Sequence, residues 1–141
     1  MNIGFTGTQQ GMTKEQKNSF YYAINFKNNI SDGSEFHHGD CIGADEQAVD
    51  IVMNLEFTIV CHPPIKTVKR AFTPSDYQRP PKDYLVRNHD IVDETDILIA
   101  TPKEETGEEL RSGTWATVRY ARKKGRKILI IRPSGKIESN E

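Results

Sequence analysis

No run in this chain is long and apolar enough to cross a bilayer, so a membrane-spanning protein is not expected. Cysteine is scarce. Cys41 and Cys61 are the only two, too few for a disulfide framework, and a reducing, cytoplasmic setting is expected. Neither sign of charge dominates: 19 basic and 20 acidic residues leave a formal charge of −1. A dedicated nucleic-acid binder carries a clear basic excess, so nucleic acid is not the expected partner. The three-glycine dinucleotide fingerprint is missing from Gly4-Phe5-Thr6-Gly7-Thr8-Gln9, and no acid closes the second strand. A standard NAD site is therefore not expected. Nor is a leader visible, because Met1-Asn2-Ile3-Gly4-Phe5 runs directly into a strand.

What is present is an alternation. The 141 residues are enough for one domain with its own core, expected over residues 1–133 and followed by a polar, frayed tail at 134–141. Apolar, β-branched runs predict strands at Asn2–Thr6, Glu35–His38, Phe57–Cys61, Asp96–Thr101 and Lys127–Arg132. Helical spacing predicts a helix from a Thr13/Gln16 capping box to about Asn29, broken by Ser31-Asp32-Gly33. Further helices are predicted over Ala44–Leu55, from Asp83 to about Thr95, and from a Ser112 cap to Gly125. Strands apolar on both faces imply a parallel sheet covered on both sides. The fold class is thus α/β: one doubly wound, Rossmann-like three-layer domain with a five-stranded, mainly parallel sheet in the order 3-2-1-4-5. Such sheets bind ligands where the strand order reverses, at the carboxyl ends of the strands.

Two glycine turns fall at those ends. The first is His38-Gly39-Asp40-Cys41-Ile42-Gly43-Ala44-Asp45. Strand, glycine turn and helix together aim backbone N–H groups at an anion. Gly39, Gly43 and Ala44 keep the turn free of bulk, whereas Asp45 would repel a phosphate there. Asp45 binds a sugar hydroxyl on this reading, or caps the turn. A tight structural turn explains the same pattern equally well. The second turn, Arg111-Ser112-Gly113-Thr114-Trp115, is the better phosphate candidate, with two hydroxyls and a neighbouring guanidinium. Ser112 also suits a plain N-cap. Trp115, the single tryptophan, either covers a base or packs on the sheet. Arg87 and Asn88 offer a phosphate ligand and a sugar ligand from the third helix, or an ordinary helix surface. Gly7 and Thr8 end the first strand beside them.

The segment from His62 to Lys82 holds five of the seven prolines and no periodicity. A connection of that length is a candidate functional loop. His37, His38, Cys41, Cys61 and His62 match no common zinc spacing, so no metal and no cofactor are expected. His37 and His38 should face opposite sides of their strand. The basic run Arg119, Arg122, Lys123, Lys124, Arg126, Lys127 reads as a solvated helix end, with a single-strand DNA surface as the minority reading.

These motifs resemble the SLOG superfamily of Rossmann-like proteins, which includes DprA, the LOG phosphoribohydrolases and small stand-alone phage and bacterial members. The stand-alone members carry a His-Gly-Gly-x-x-Gly-Ala-Asp turn, matched here by His38, Gly39, Gly43, Ala44 and Asp45, with Asp40 at the second glycine. Arg87-Asn88 and Gly113-Thr114 match the family's later motifs in order. The resemblance implies a nucleotide-type small-molecule partner at the carboxyl edge of the sheet, and a homodimer. LOG enzymes and deoxyribosyltransferases need a glutamate three residues after the Gly-Thr pair; here that residue is Thr117. Asp45, Asp40 or Glu109 would have to replace it in an N-glycosidase. The leading expectation is binding of a nucleoside phosphate or an ADP-ribose-like molecule. N-glycosidic hydrolysis and DprA-like DNA binding are the alternatives.

Overall fold

Each apolar run becomes a strand because its residues find cover on both faces. The computed structural model describes residues 1–26 and 34–140. Its elements are β1 (Ile3–Gly7), α1 (Lys14–Phe26), β2 (Glu35–His38), α2 (Ala44–Val52), β3 (Thr58–Cys61), β4 (Tyr77–Gln78), α3 (Tyr84–Asp93), β5 (Ile97–Thr101), α4 (Gly113–Lys123), β6 (Lys127–Ile131) and β7 (Ile137–Ser139). Alternate residues of one strand enter different cores. Ile97 and Ile99 join Ile3, Phe5, Phe20 and Phe36 on one face, while Leu98 and Ala100 join Trp115, Val118 and Ile128 on the other. The first core is built on rings: Phe5 and Phe20 meet edge to face at 5.3 Å, and Phe36 packs against both.

The sheet has seven strands, not five, in the order β4-β3-β2-β1-β5-β6-β7. All neighbours are parallel except β6 and β7. The five expected strands sit inside this order as β3-β2-β1-β5-β6. Both additions are edges. Tyr77 and Gln78, within the proline-rich connection, pair with Val60 and Cys61. The expected frayed tail instead folds back as β7, pairing Ile137 with Ile131 and Ser139 with Leu129. A short polar strand is what a solvent-facing edge tolerates.

The capping box at α1 forms as expected: Gln16 N–H donates to Thr13 Oγ1 and Thr13 N–H to Gln16 Oε1, both at 3.0 Å. The expected helix end near Asn29 and the Ser31-Asp32-Gly33 break lie outside the described residues. No helix among the described residues is long and apolar enough to cross a membrane.

The chain leaves β1 on one side of the sheet, runs out to β4, then returns to β5 on the other side of β1. The order therefore reverses between β1 and β5, and a crevice opens there. Gly7 closes its floor. A Cβ at this position would lie 2.3 Å from Thr101 Oγ1 and 2.5 Å from the Ala44 Cβ. Gly7→Ala should therefore cost about 2–3 kcal/mol by overpacking, seen as a lower urea midpoint with an unchanged slope. A wild-type midpoint would mean that β1, β5 and α2 can separate at no cost.

Candidate functional site

A cleft of about 770 Å³ lies at this crevice, on the scale of small-molecule sites. Among its walls are Gly7, Thr8, Gly39, Asp45, Arg87, Asn88, Glu109, Arg111, Ser112, Gly113 and Thr114, all expected from the sequence. Four expected residues do not line it: Asp40, Gly43, Ala44 and Trp115.

Five N–H groups of the first glycine turn, those of Gly39, Asp40, Cys41, Ile42 and Ala44, are already used, which closes most of it to an anion. Gly39 N–H and Cys41 N–H donate to Asp45 Oδ2 at 3.1 and 3.2 Å. Asp40 N–H donates to His38 Nδ1, Ile42 N–H to the Lys69 carbonyl and Ala44 N–H to the Thr8 carbonyl. Asp45 thus takes the capping role. Burial pushes its carboxyl up to about 6 against the opposing pull of Arg87 and the two N–H donors. Its Oδ1 has no hydrogen-bond partner among the described residues, so the carboxyl borders the cleft half-satisfied. Gly43 holds the turn with φ 87°, and a Cβ there would sit 2.3 Å from the Gln9 carbonyl oxygen. It and Ala44, which is fully buried, are structural.

Asp40 is likewise held within the fold. It is fully buried and turned away from the cleft. Its Oδ2 accepts from Arg70 Nε at 2.8 Å, and its Oδ1 accepts from the Thr73 backbone and hydroxyl. Its own carbonyl accepts from Ala71 N–H. These bonds stitch the proline-rich connection to the turn. That connection forms a side wall, with Lys69 as its one contribution to the cleft.

Arg87, expected on a phosphate, is enclosed instead. It donates Nη1–H to the Gly39 carbonyl and to the His62 carbonyl, and Nε–H to Asn88 Oδ1 at 2.7 Å. Its Nη2 approaches Cys41 Sγ at 3.6 Å. It ties the ends of β2 and β3 to α3, and Asn88 shares in holding it. Trp115 is fully buried in the core beneath α4. Its Nε1–H donates to Glu104 Oε1, and Arg132 covers its ring. It covers no ligand surface.

The second turn is different. Ser112 Oγ caps α4 by accepting from Trp115 N–H at 3.2 Å. The N–H groups of Gly113 and Thr114 and the Thr114 hydroxyl have no hydrogen-bond partner among the described residues. A side chain added at Gly113 would meet nothing within 4 Å, so a ligand has room to approach. Lys69, Lys103 and Arg111 line the same cleft and are exposed. Neither Lys69 nor Lys103 is expected from the motifs, although Lys103 follows Pro102 at the end of β5, where a wall residue belongs. Thr117, at the position of the family glutamate, is buried and donates its hydroxyl to the Gly113 carbonyl. The carboxylates that do border the cleft are Asp45, Glu104 and Glu109.

Neither cysteine is poised as a nucleophile: burial pushes Cys41 up to about 11 and Cys61 up to about 12. His37 and His38 enter opposite faces, as expected. His37 meets His62, and His38 lies 6.2 Å from the Phe36 ring in a stacked arrangement. In the basic run, Arg119 and Arg122 pair with Glu108, and Arg126 donates to the Val92 and Asp93 carbonyls.

No family model and no curated protein matches this chain. Solved structures share its fold. The molybdenum cofactor binding protein of the phototrophic bacterium Rippkaea orientalis is 20% identical, with a TM-score of 0.67 over 93% of this chain and 76% of that one. The structural-genomics target TM1055 is 14% identical, with a TM-score of 0.65 over 95% of this chain and 75% of that one. At such identities the likeness is one of fold: a three-layer, Rossmann-like α/β domain with a mostly parallel sheet.

Proposed function

We propose that this chain binds a nucleoside phosphate or a related phosphate-bearing small molecule in the cleft between β1 and β5. The reading rests on one observation: the Gly113 and Thr114 N–H groups at the start of α4 have no partner among the described residues and share a single cleft with Lys69, Lys103 and Arg111. Helix dipole, free N–H groups and three cations all favour an anion. The sugar would meet Asp45 Oδ1 and Asn88. One fold neighbour is a molybdenum cofactor binding protein, which agrees with a small-molecule site on this scaffold. The SLOG resemblance points the same way.

A thermal-shift panel of nucleotides, ADP-ribose and cyclic dinucleotides tests it. A ligand at a hundredfold over its dissociation constant adds about 2.7 kcal/mol, a shift of several degrees. Thr114→Val should weaken that ligand about tenfold, since one hydrogen bond to a charged group is lost. The unliganded midpoint should not move, because the hydroxyl has no protein partner among the described residues. A flat panel with the wild type would overturn the assignment.

Asp45 favours a second reading. A buried carboxyl raised to about 6 can hold a proton near neutrality, as a general acid for N-glycosidic cleavage requires. Release of free base, lost in Asp45→Asn, would establish it. Binding without base release would leave the chain a binding protein. A DNA surface is the weaker reading, since Arg119 and Arg122 pair with Glu108 and Arg126 with backbone carbonyls.

A further inference from the structure

We infer that His37, His62 and Glu94 form a binding site for a divalent transition-metal ion of the zinc type, on the α3 face of the sheet and separate from the cleft. Strand pairing brings the two imidazoles together. His37 of β2 stands beside Val60 of β3, and His62 follows β3 on the same face. Glu94, the residue that ends α3, comes down on the pair. Among the described residues this is the one group of three with metal-ligating atoms in mutual reach.

The geometry fits an ion. His37 Nδ1 and His62 Nε2 are 2.8 Å apart, and Glu94 Oε1 lies 3.9 and 4.0 Å from them. The point equidistant from the three atoms is about 2.1 Å from each and lies in their plane; tetrahedral zinc at that bond length needs donors about 3.4 Å apart, so loading parts the two imidazoles by about half an ångström. Two histidines and one carboxylate make a donor set for zinc or iron(II), not for calcium or magnesium. Three protein ligands leave a further position for water.

The surroundings are also those of a metal site. Glu35 Oε1 lies 2.8 Å from His37 Nε2. A carboxylate there holds the ring proton on Nε2 and turns the bare Nδ1 toward the other two donors. Arg79 donates Nε–H to Glu94 Oε1 at 2.9 Å and pairs with the same oxygen through Nη2 at 2.8 Å, fixing the carboxylate from the solvent side. That cation lowers the affinity while it sets the geometry. Both histidines are buried, and burial keeps both rings neutral at neutral pH, the form that ligates. Loading requires His62 to carry its proton on Nδ1, freeing Nε2.

The histidines stand 25 residues apart, with the carboxylate in a later element, and such a spacing matches no short motif. That is why no metal is expected here from the sequence. None of the three residues borders the cleft, so the inference does not rest on the proposed ligand.

The test is a Co2+ titration of chelator-stripped, full-length protein, followed by visible absorption and then by Zn2+ competition. One equivalent per chain is expected, with the intense absorption of a four- or five-coordinate ion, displaced by Zn2+. Glu94→Ala removes a half-exposed ligand and should fold; it should weaken Co2+ at least tenfold. His89→Ala, on the exposed side of α3, should bind as the wild type does. Failure of the wild type to take up Co2+, or uptake unaltered by Glu94→Ala, would overturn the inference.

Discussion

Acidification from pH 7 to pH 4 should remove several kcal/mol of stability in metal-free protein, through His38 and His62. His38 is fully buried; its Nδ1 accepts from Asp40 N–H, and its Nε2 has no partner among the described residues. Burial pushes its pKa down to about 4. Burial, helped by the neighbouring His37, pushes His62 down to about 3. Both folded values lie below the ordinary 6.5, so below pH 6.5 the unfolded chain takes up protons that the native state refuses. Stability falls through that window and levels only beneath the folded values. At about 1.4 kcal/mol per unit, each ring contributes a few kcal/mol, against a total of about 5–15 for a domain. Asp45 works in the opposite sense. Its folded value of about 6 exceeds the ordinary 3.8, so its cost is complete above pH 6 and fades as pH falls toward 4. Two histidines outweigh one carboxyl, and the net slope is toward acid unfolding. Urea denaturation at pH 7, 6, 5 and 4 in the presence of chelator measures it. His38→Asn keeps an acceptor near Asp40 N–H without a titrating ring, and should flatten the profile. A wild-type profile that is level from pH 7 to 4 would mean that water reaches both rings.

The limits of the sequence follow from what a sequence encodes. Runs such as Ile97-Leu98-Ile99-Ala100 state their own burial, and so the five inner strands and their neighbours were legible. Tyr77-Gln78 and Ile137-Glu138-Ser139 were not: two or three residues at an edge, half exposed, carry no period. The Thr13/Gln16 box was legible because both partners lie within one turn. Hydrogen bonds across the sheet were not. Nothing local to Gly39-Asp40-Cys41 announces that its N–H groups end on Asp45, His38 and, through Ile42, on Lys69. An identical glycine pattern serves an open cradle and a closed turn, and only a full account of the donors separates them. The cations show the same limit. Arg87 and Arg111 look alike in sequence, yet one is buried among carbonyls and the other faces the cleft.

That contrast yields the second large effect. Arg87→Met should cost about 3–5 kcal/mol, because it strands buried carbonyls that the guanidinium satisfies. The Gly39 and His62 carbonyls both lose Nη1–H, and Asp45 loses the positive charge that holds its pKa down. The first glycine turn then has no tie to α3. Lysine cannot repair it: a single ammonium lacks the fork that reaches two carbonyls and Asn88 at once, so Arg87→Lys should recover only part of the loss. Arg111→Gln is the matched control. Arg111 is exposed and makes no contact that the fold needs, so its loss should leave the urea midpoint within about 0.5 kcal/mol of wild type. Under the proposed function it should nevertheless lower ligand affinity about tenfold. Together the two variants separate the cation that builds the cleft from the cation that serves it. Arg87→Met with wild-type stability would show that the carbonyls find water instead, and would make Arg87 once more a residue free to meet a phosphate.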